Sequence, residues 1–303
     1  MNKGLILGFF DGVHLGHQEV IKSALNYADK AVLITFKNSP AEYFSGNYEY
    51  IFPRKKSLSY IKEAEVVELD FKEIATMPAE KYLEYLVNEF QPVSISTGFN
   101  HTFGFNKSGD TKLLKACQEQ YGYKYFCVPA QMYKNEPISS TRIKSSLKTG
   151  DVENANIMLG RPFSLEGEVI HGAQIGRKIG FPTANITYPE HIVKLPFGVY
   201  GGRIKIKPLT RRFVPPSPTK GVEGLLQASL IYPHAVINWG MKPTVNNTKE
   251  PVVEIHILGF EGDLYGQNIE VEILKKIRDE KKFESLEELK TQIKKDTEEC
   301  LKL

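Results

Sequence analysis

Two histidines near the start of the chain are spaced for chemistry on a phosphate. His14 and His17 follow an apolar run and a glycine-containing turn, and a separation of three residues places both imidazoles on one side of a helical first turn. A helix N-terminus favours phosphate because its unpaired N–H groups carry partial positive charge. Gly12 and Gly16 have no Cβ, which lets a nucleotide approach the backbone closely. The pattern predicts two imidazole donors for the charge that develops when an α-phosphate is attacked.

Alternative roles for this turn have less support in the sequence. A helix cap, or two exposed side chains, is the structural alternative. The spacing of the histidines does not match the His-Glu-x-x-His pattern of zinc enzymes, and no third ligand is apparent. No Gly-x-Gly-x-x-Gly segment follows the first apolar run, so a dinucleotide-binding fingerprint is not supported.

A second set of candidate residues lies in a glycine-rich segment of the second half. Gly172, Gly176 and Gly180 permit tight turns and leave backbone N–H groups to meet phosphate, but their spacing is not that of a Walker A loop. Thr183 and Asn185 are two residues apart, so an extended segment points both oxygens the same way. With ATP phosphates and water these oxygens could complete a Mg²⁺ site. A glycine-rich hairpin with a Pro-Thr turn accounts for the fragment equally well.

A third candidate lies on an alternating strand pattern. In the run 252–258, Glu254 and His256 share one face, and three aliphatic residues share the other. Glu254 is a candidate general base for a hydroxyl nucleophile. Taken alone, the strand pattern favours the alternative, a glutamate that faces solvent.

The elements around the histidine pair predict an α/β domain. The run Leu5–Phe10 is continuously apolar, as in a strand buried on both faces, and Gln18–Lys30 repeats apolar residues at helical spacing. Ala31–Phe36 is a second buried strand, which completes a βαβ unit. Weaker strand and helix patterns alternate as far as Pro129, so we predict a doubly wound parallel sheet.

The pattern changes near residue 160 and predicts a second domain. Short strand-like runs separated by glycine and proline indicate a closed antiparallel β-barrel, with a long surface loop at 211–220. Ser285 and Glu288 form a capping box that predicts a C-terminal helix. A chain of 303 residues exceeds what one hydrophobic core usually fills. We therefore predict domains at 1–158 and 159–303.

Composition limits the classes of partner. With 41% hydrophobic residues, 25% charged residues and a net charge of +3, the chain fits a soluble globular protein without a nucleic-acid footprint. Cys117, Cys127 and Cys300 have no metal-ligand spacing, and so sparse a set suits a reducing compartment. No apolar stretch approaches the length that spans a membrane. We expect a cytoplasmic monomer or weak homo-oligomer that binds neither nucleic acid nor membrane.

Several segments resemble the bacterial bifunctional riboflavin kinase/FMN adenylyltransferase (FAD synthetase) family. Gly8–His17 resembles the family's opening motif. Gly98–Gly104, followed by Gly109-Asp110, resembles its flavin-side motif, and Ile138–Ile143 resembles the segment that binds nucleotide phosphates. Segments of the second half follow in the order of the riboflavin kinase domain: Gly180–Asn185, Gly198–Tyr200, Asn238–Thr244, Glu254–His256, Leu264–Gly266 and Arg278–Glu280. The resemblance covers nearly the whole chain, and the order of the motifs is more specific than any one of them.

The resemblance implies a nucleotidyltransferase-like first domain and two ATP-dependent reactions. Riboflavin would be phosphorylated to FMN, and FMN adenylylated to FAD with release of pyrophosphate. His14 and His17 would be catalytic in the second reaction, and Glu254 would deprotonate the ribityl 5′-hydroxyl as it attacks the γ-phosphate. Thr183 and Asn185 would hold Mg²⁺ with ATP. The implied flavin contacts are Asn100, Phe103 and Arg278. The implied nucleotide contacts are Gly8, Phe9, Asp11, Gly12, Gly16, Ser140, Thr141, Arg142, Lys144, Gly172, Gly176, Arg177, Gly180 and Pro182.

The chain departs from the family pattern at three places in the first domain. Lys37-Asn38-Ser39-Pro40 stands where the family has an acidic residue and Pro-His-Pro, His101 replaces a phenylalanine, and Lys144 replaces an arginine. Lysine keeps the charge of arginine but loses its bidentate phosphate geometry. Two alternatives therefore remain: a chain in which only the riboflavin kinase site works, and a non-catalytic flavin- or nucleotide-binding regulator.

Overall fold

The structure is a computed structural model that describes residues 1–172, 180–206, 234–243, 249–260 and 262–303. The chain forms two compact units: unit 1 is residues 1–144 with 158–160, and unit 2 is residues 145–157 with 161–303. Gly176, Arg177 and the loop predicted at 211–220 lie outside the described residues.

Unit 1 is built on a parallel sheet with helices between its strands. The strands are β1 (Lys3–Leu7), β2 (Lys30–Phe36), β3 (Ala64–Leu69), β4 (Ser94–Gly98), β5 (Thr102–Phe103), β6 (Gly109–Asp110), β7 (Lys124–Val128), β8 (Met132–Tyr133) and β9 (Glu136–Pro137). The helices are α1 (Leu15–Leu25), α2 (Pro40–Ser45), α3 (Arg54–Ser59), α4 (Phe71–Ile74), α5 (Ala79–Phe90), α6 (Thr111–Ala116) and α7 (Gln118–Tyr121). Two helices follow along the chain, α8 (Ser140–Thr149) and α9 (Val152–Leu159).

The main sheet has the strand order β3-β2-β1-β4-β7, and all its pairings are parallel. Alternation along β1 explains how it is covered on both faces. Leu5 and Leu7 pack into a core with α5, whereas Ile6 packs into a second core with α1. The doubly wound α/β fold predicted from the sequence is confirmed.

Unit 2 is a barrel of antiparallel strands. These are β10 (Phe163–Glu168), β11 (Ala184–Thr187), β12 (Gly198–Ile206), β13 (His234–Pro243), β14 (Lys249–Ile257) and β15 (Asn268–Asp279), in the order β10-β15-β12-β13-β14-β11. A bridge between Ile170 and Asn185 brings the chain after β10 onto β11 and nearly closes the barrel. Inside it, Ile237, Ile255 and Val271 are fully buried. The predicted barrel is confirmed.

The predicted C-terminal helix is also confirmed, as α10 (Leu286–Cys300). The Ser285 side chain accepts the N–H of Glu288 at 3.1 Å, and the Glu288 carboxylate accepts the N–H of Glu284. Cys300 packs with Val199 and Val236 on the outer face of the barrel. Among the described helices of both units, none has the length and apolarity needed to cross a membrane.

Candidate active sites

In unit 1 the histidine pair follows a strained turn between β1 and α1. Phe10, Gly12 and Val13 have φ values of +60°, +76° and +45°. Glycine adopts such a conformation at little cost, but a bulky or β-branched residue does so only where its surroundings enforce it. The turn ends at His14, which is the N-cap of α1 and accepts the N–H of His17 on Nδ1 at 3.3 Å.

The rings next to this turn form a stack. The His14 and His17 ring centroids are 3.6 Å apart with 17° between the ring planes, and Phe10 stacks on His17 at 4.5 Å. An ideal Cβ on Gly16 would lie 3.1 Å from Cε1 of His14, so even alanine would crowd the ring. The stack fixes the planes of both imidazoles and directs hydrogen bonding to their edges.

A cavity of about 320 Å³ lies beside this stack, at the carboxyl ends of β1, β4 and β7. The strand order reverses between β1 and β4, and this is where ligands bind in open α/β sheets. The cavity is lined by eight of the residues that the sequence predicts for the site: Gly8, Phe9, His14, Gly16, His17, Asn100, Ser140 and Thr141.

Five other predicted residues of unit 1 do not line this cavity: Asp11, Gly12, Phe103, Arg142 and Lys144. Phe103 is 8% exposed and belongs to the core. Arg142 donates to the carbonyl oxygens of Glu136 and Pro137, at 2.8 and 3.3 Å, and so anchors the β8–β9 hairpin. Their predicted contacts with substrate stay predictions.

Asp11 and Lys144 form a mostly buried ion pair beneath the turn. Lys144 Nζ lies 3.2 Å from Asp11 Oδ2, and their side chains are 15% and 2% exposed. Tyr48 donates its hydroxyl to the same carboxylate at 2.9 Å. Burial and, after it, the charge of Asp11 raise the pKa of Tyr48, so this hydroxyl keeps its proton.

Arg54 is a further residue at this site that the sequence patterns did not reveal. Its guanidinium donates to the carbonyl oxygen of Phe9 at 2.7 Å and to the hydroxyl of Thr35 at 2.6 Å. It also lies over the Phe9 ring, 4.5 Å from the centroid. Burial lowers its pKa, an effect that nearby Glu68 opposes. Arg54 thus fixes a residue that lines the cavity, and no local spacing connects it to the histidine pair.

His101, the departure from the family's phenylalanine, lies at the flavin-side motif and lines the same cavity. Its ring stacks on Phe103 at 5.7 Å. Nε2 is buried without a hydrogen-bond partner, and burial lowers the pKa of His101 to about 4. The imidazole is therefore neutral at physiological pH.

In unit 2 three neighbouring strands place polar side chains in one row. Asn185 on β11 is opposite Glu254 on β14, which is in turn opposite Asn238 on β13. Residues that face each other across a ladder point to the same side of the sheet. Asn238 Nδ2 donates to Glu254 Oε2 at 3.2 Å. Asn238 is not among the residues predicted for the site from the sequence, although it lies in one of the motifs that carry the resemblance.

Asn185 has the features expected of a ligand held in place. It is 4% exposed, and its Oδ1 is buried without a hydrogen-bond partner. Gly172 lies so close to the Asn185 amide that a Cβ there would collide with it. Among the described residues, no cluster of three His, Cys, Asp or Glu side chains could hold a metal ion. A cation here would need oxygens from a substrate as well as from the chain.

Two cavities of unit 2 meet at Thr183. The larger, about 630 Å³, lies between the outer face of the barrel and α10, and Glu254, Arg278 and Phe283 line it. The smaller, about 370 Å³, is lined by Pro182 and by other residues that are mainly apolar or aromatic. Neither cavity is lined by the predicted nucleotide contacts Gly172 and Gly180.

The Arg278 guanidinium is held by the C-terminal helix. Nε and Nη2 of Arg278 lie 3.0 and 2.9 Å from the two carboxylate oxygens of Asp296, which is 2% exposed. Gln292 also donates to this carboxylate, at 2.9 Å. This bidentate pair ties β15 to α10 and fixes one wall of the larger cavity.

Family models and known proteins match both halves of the chain. The riboflavin kinase family model matches residues 159–303, and the FAD synthetase model matches residues 2–142. The bifunctional riboflavin kinase/FMN adenylyltransferases of Haemophilus influenzae and Bacillus subtilis are 34% and 30% identical to the chain, cover 97% and 98% of it, and are themselves covered to 92% and 91%. A crystal structure described as a macrolide-efflux protein from Streptococcus pneumoniae has a TM-score of 0.82 at 29% identity, over 98% of this chain and 93% of that one.

Proposed function

Because the chain belongs to the bifunctional riboflavin kinase/FMN adenylyltransferase family, we propose that each unit contains the catalytic residues of one of the two reactions. The enzyme phosphorylates riboflavin to FMN and adenylylates FMN to FAD, with ATP as the second substrate of both reactions. Full-length bifunctional relatives leave no support for a kinase-only chain or a non-catalytic regulator. The observation that carries the assignment of residues is that His14, His17 and Glu254 each line a cavity of their own unit.

In the adenylyl transfer, the reacting phosphates of FMN and ATP meet in the unit 1 cavity. A phosphate oxygen of FMN attacks the α-phosphorus of ATP, and pyrophosphate leaves. The nucleophile is already ionised at neutral pH, because the second pKa of a phosphate monoester is about 6, so the step needs no general base. The edges of the His14 and His17 imidazoles donate to the oxygens on which charge develops. Asn100 positions the flavin, while the backbone of Gly8 and Gly16 allows close approach of the nucleotide.

In the phosphoryl transfer, Glu254 takes the proton of the ribityl 5′-hydroxyl as that oxygen attacks the γ-phosphorus of ATP; the bond from this phosphorus to the bridging oxygen breaks, and ADP leaves. Asn238 orients the Glu254 carboxylate through its 3.2 Å hydrogen bond. The flavin ring occupies the larger cavity beside Phe283 and Arg278, and ATP the smaller one, so that the phosphates meet the hydroxyl near Thr183.

The residues proposed to hold magnesium are Thr183, where the two cavities meet, and Asn185, which is buried on β11 and lines neither cavity. Asn185 offers a buried oxygen without a protein partner, and Thr183 lines both cavities. These two side chains would hold Mg²⁺ together with ATP phosphates and water. When bound, the cation neutralises charge on the transferred phosphoryl group.

One assay tests both assignments. The purified chain is incubated with riboflavin, ATP and Mg²⁺, and FMN and FAD are followed by chromatography. We expect FMN first and FAD after it. FMN without FAD would contradict the adenylyl assignment, and turnover of neither flavin would contradict both.

The domain bounds and the cellular context are proposals of the same kind. We propose an adenylyltransferase domain at 1–158 and a kinase domain at 159–303, in a monomer or weak homo-oligomer. Three free cysteines favour a reducing compartment, and we propose the cytoplasm. Limited proteolysis followed by mass spectrometry would test the boundary, since cleavage concentrates at exposed segments between compact domains.

A further inference from the structure

Two side chains one helical turn apart on α8 contact Asp11, in the strained turn between β1 and α1. The Ser140 hydroxyl donates to the backbone carbonyl of Asp11 at 2.9 Å, and Lys144 Nζ lies 3.2 Å from its carboxylate. Residues four apart share one face of a helix. One face of α8 therefore binds Asp11 twice: Ser140 contacts its main chain and Lys144 its side chain.

A separate segment of the chain holds Asp11 from its other side. The N–H of Ile51 donates to Oδ1 at 3.0 Å, and the Tyr48 hydroxyl donates to Oδ2 at 2.9 Å. Asp11 is 3% exposed. Its carboxylate is thus enclosed and bound by three donors from two segments that are distant in sequence.

The ammonium of Lys144 is fully engaged within this cluster. It donates to Asp11 and also to the carbonyl oxygen of Glu49 at 3.0 Å, and it lies 3.9 Å from the centroid of the Tyr48 ring. An ammonium group has three donors, and a cation over an aromatic face is attracted to it. In this structure the ammonium of Lys144 contacts groups of the protein itself. The family resemblance instead implies that a residue at this position contacts a nucleotide phosphate.

Asp11 lies inside the turn that carries the backbone strain. Phe10 precedes it with φ +60°, and Gly12 and Val13 follow with φ +76° and +45°. Strained backbone persists only where its surroundings over-determine it. The contacts of Asp11 supply that constraint, and the turn ends three residues later at His14.

We propose that Lys144 is a positioning residue for adenylyl transfer, which acts through Asp11 to hold the turn that presents His14 and His17. The ammonium compensates a buried carboxylate, and without it an unpaired charge would remain inside the turn. The proposal rests on the proposed role of the histidine pair. It predicts that Lys144 sets the rate of the step and contributes little to the affinity for ATP.

The first test separates positioning from phosphate binding. For Lys144→Met, with FMN and ATP supplied, we expect kcat for FAD formation to fall about 100-fold, because small misplacements of reacting groups cost about that much. The KM for ATP should change less than about threefold. A rise of KM for ATP of about tenfold or more with unchanged kcat would overturn the proposal. Lys144→Arg restores the charge and should recover kcat to within about fivefold.

A double-mutant cycle tests whether Lys144 acts through Asp11. Asp11→Asn removes the charge that Lys144 compensates. If Lys144 and Asp11 hold the turn together, the double variant should lose no more FAD-forming activity than the worse single variant. Multiplicative losses would overturn the proposal.

Three controls keep these results interpretable. FMN formation by unit 2 in the same sample reports how much intact chain is present, and circular dichroism reports whether unit 1 is folded. Lys148→Met makes the same change on an exposed lysine one turn along α8 and should alter neither reaction. If Lys144→Met disrupts unit 1, Tyr48→Phe removes a single hydroxyl, and kcat should fall about fivefold at constant KM; a changed KM at constant kcat would count against the proposal.

The outcome for His17→Ala distinguishes this proposal from the one it rests on. If that variant retains FAD formation, the role of the histidine pair fails whatever Lys144 does. If it loses FAD formation while Lys144→Met keeps a wild-type kcat, only the positioning role fails.

Discussion

The two units hold their proposed catalytic groups by opposite means. In unit 2, Asn185, Glu254 and Asn238 occupy facing positions on three regular strands. In unit 1, the histidines follow a turn with left-handed residues that side chains from distant segments hold in place. One site follows from sheet register, and the other depends on a few buried polar contacts.

This difference determines which substitutions should disturb each site. A strand register is fixed by every apolar residue along the ladder, so no single outer side chain determines the position of Glu254. The turn in unit 1 has no ladder, and its shape depends on Asp11 and its donors. Substitutions outside the cavity should therefore damage adenylyl transfer more than phosphoryl transfer.

The largest expected effect is at Glu254, the proposed general base of the kinase reaction. Glu254→Gln keeps the size of the side chain but cannot accept the ribityl proton, and we expect FMN formation to fall about 10³-fold. FAD formation from supplied FMN should not change, because its site is in unit 1. Separate rate measurements with riboflavin and with FMN check this. Equal losses in both reactions would show that the two sites are not independent.

A substitution in the imidazole stack should have the opposite selectivity: it should reduce FAD formation and leave FMN formation unchanged. His17→Ala removes one donor to the developing charge, and FAD formation should fall about 10²- to 10³-fold. FMN should still accumulate from riboflavin at the wild-type rate, as measured by chromatography. FAD formation within about threefold of wild type would exclude an electrostatic role for this ring.

Local patterns predicted the elements of both units, for a physical reason. A strand buried on both faces is continuously apolar, as in Leu5–Leu7 of β1, although the apolar run continues to Phe10 and the strand does not. A half-buried strand alternates, as in Val252–Ile257 of β14. Both patterns depend only on neighbours in sequence. Alternation alone also places Glu254 and His256 on one face of β14, without reference to the strands that pair with it.

The contacts that complete the sites are long-range, and local patterns do not show them. Asn238 reaches Glu254 only through the β13–β14 pairing. Lys144 and Asp11 are 133 positions apart, so no local pattern indicated the ion pair between them. Arg54 likewise reaches Phe9 across 45 positions.

A smaller effect is expected where register already does most of the positioning. Asn238→Ala removes the donor to Glu254 Oε2 but leaves the strand in place, and kcat for FMN formation should fall about tenfold with little change in KM for riboflavin. Asn268→Ala, at an exposed position on β15, is the matched control and should have no effect. A loss as large as that of Glu254→Gln would mean that register alone does not position the base.

The smallest expected effect concerns stability in unit 1. His101→Phe removes a buried Nε2 without a partner, and the free energy of unfolding should rise by about 1 kcal/mol at pH 7.5. The folded-state pKa of His101 is about 4, below the ordinary value near 6.5, so the unfolded chain binds a proton that the folded chain does not, and stability falls as pH falls between these values. The advantage of the variant should therefore grow by about 1 kcal/mol between pH 7.5 and 5.5. Urea unfolding followed by circular dichroism measures the free energy of unfolding. The urea transition seen by fluorescence of the single tryptophan, Trp239, reports unit 2 and should not change. If the variant and the wild type differ in stability by the same amount at both pH values, His101 is not held neutral by burial.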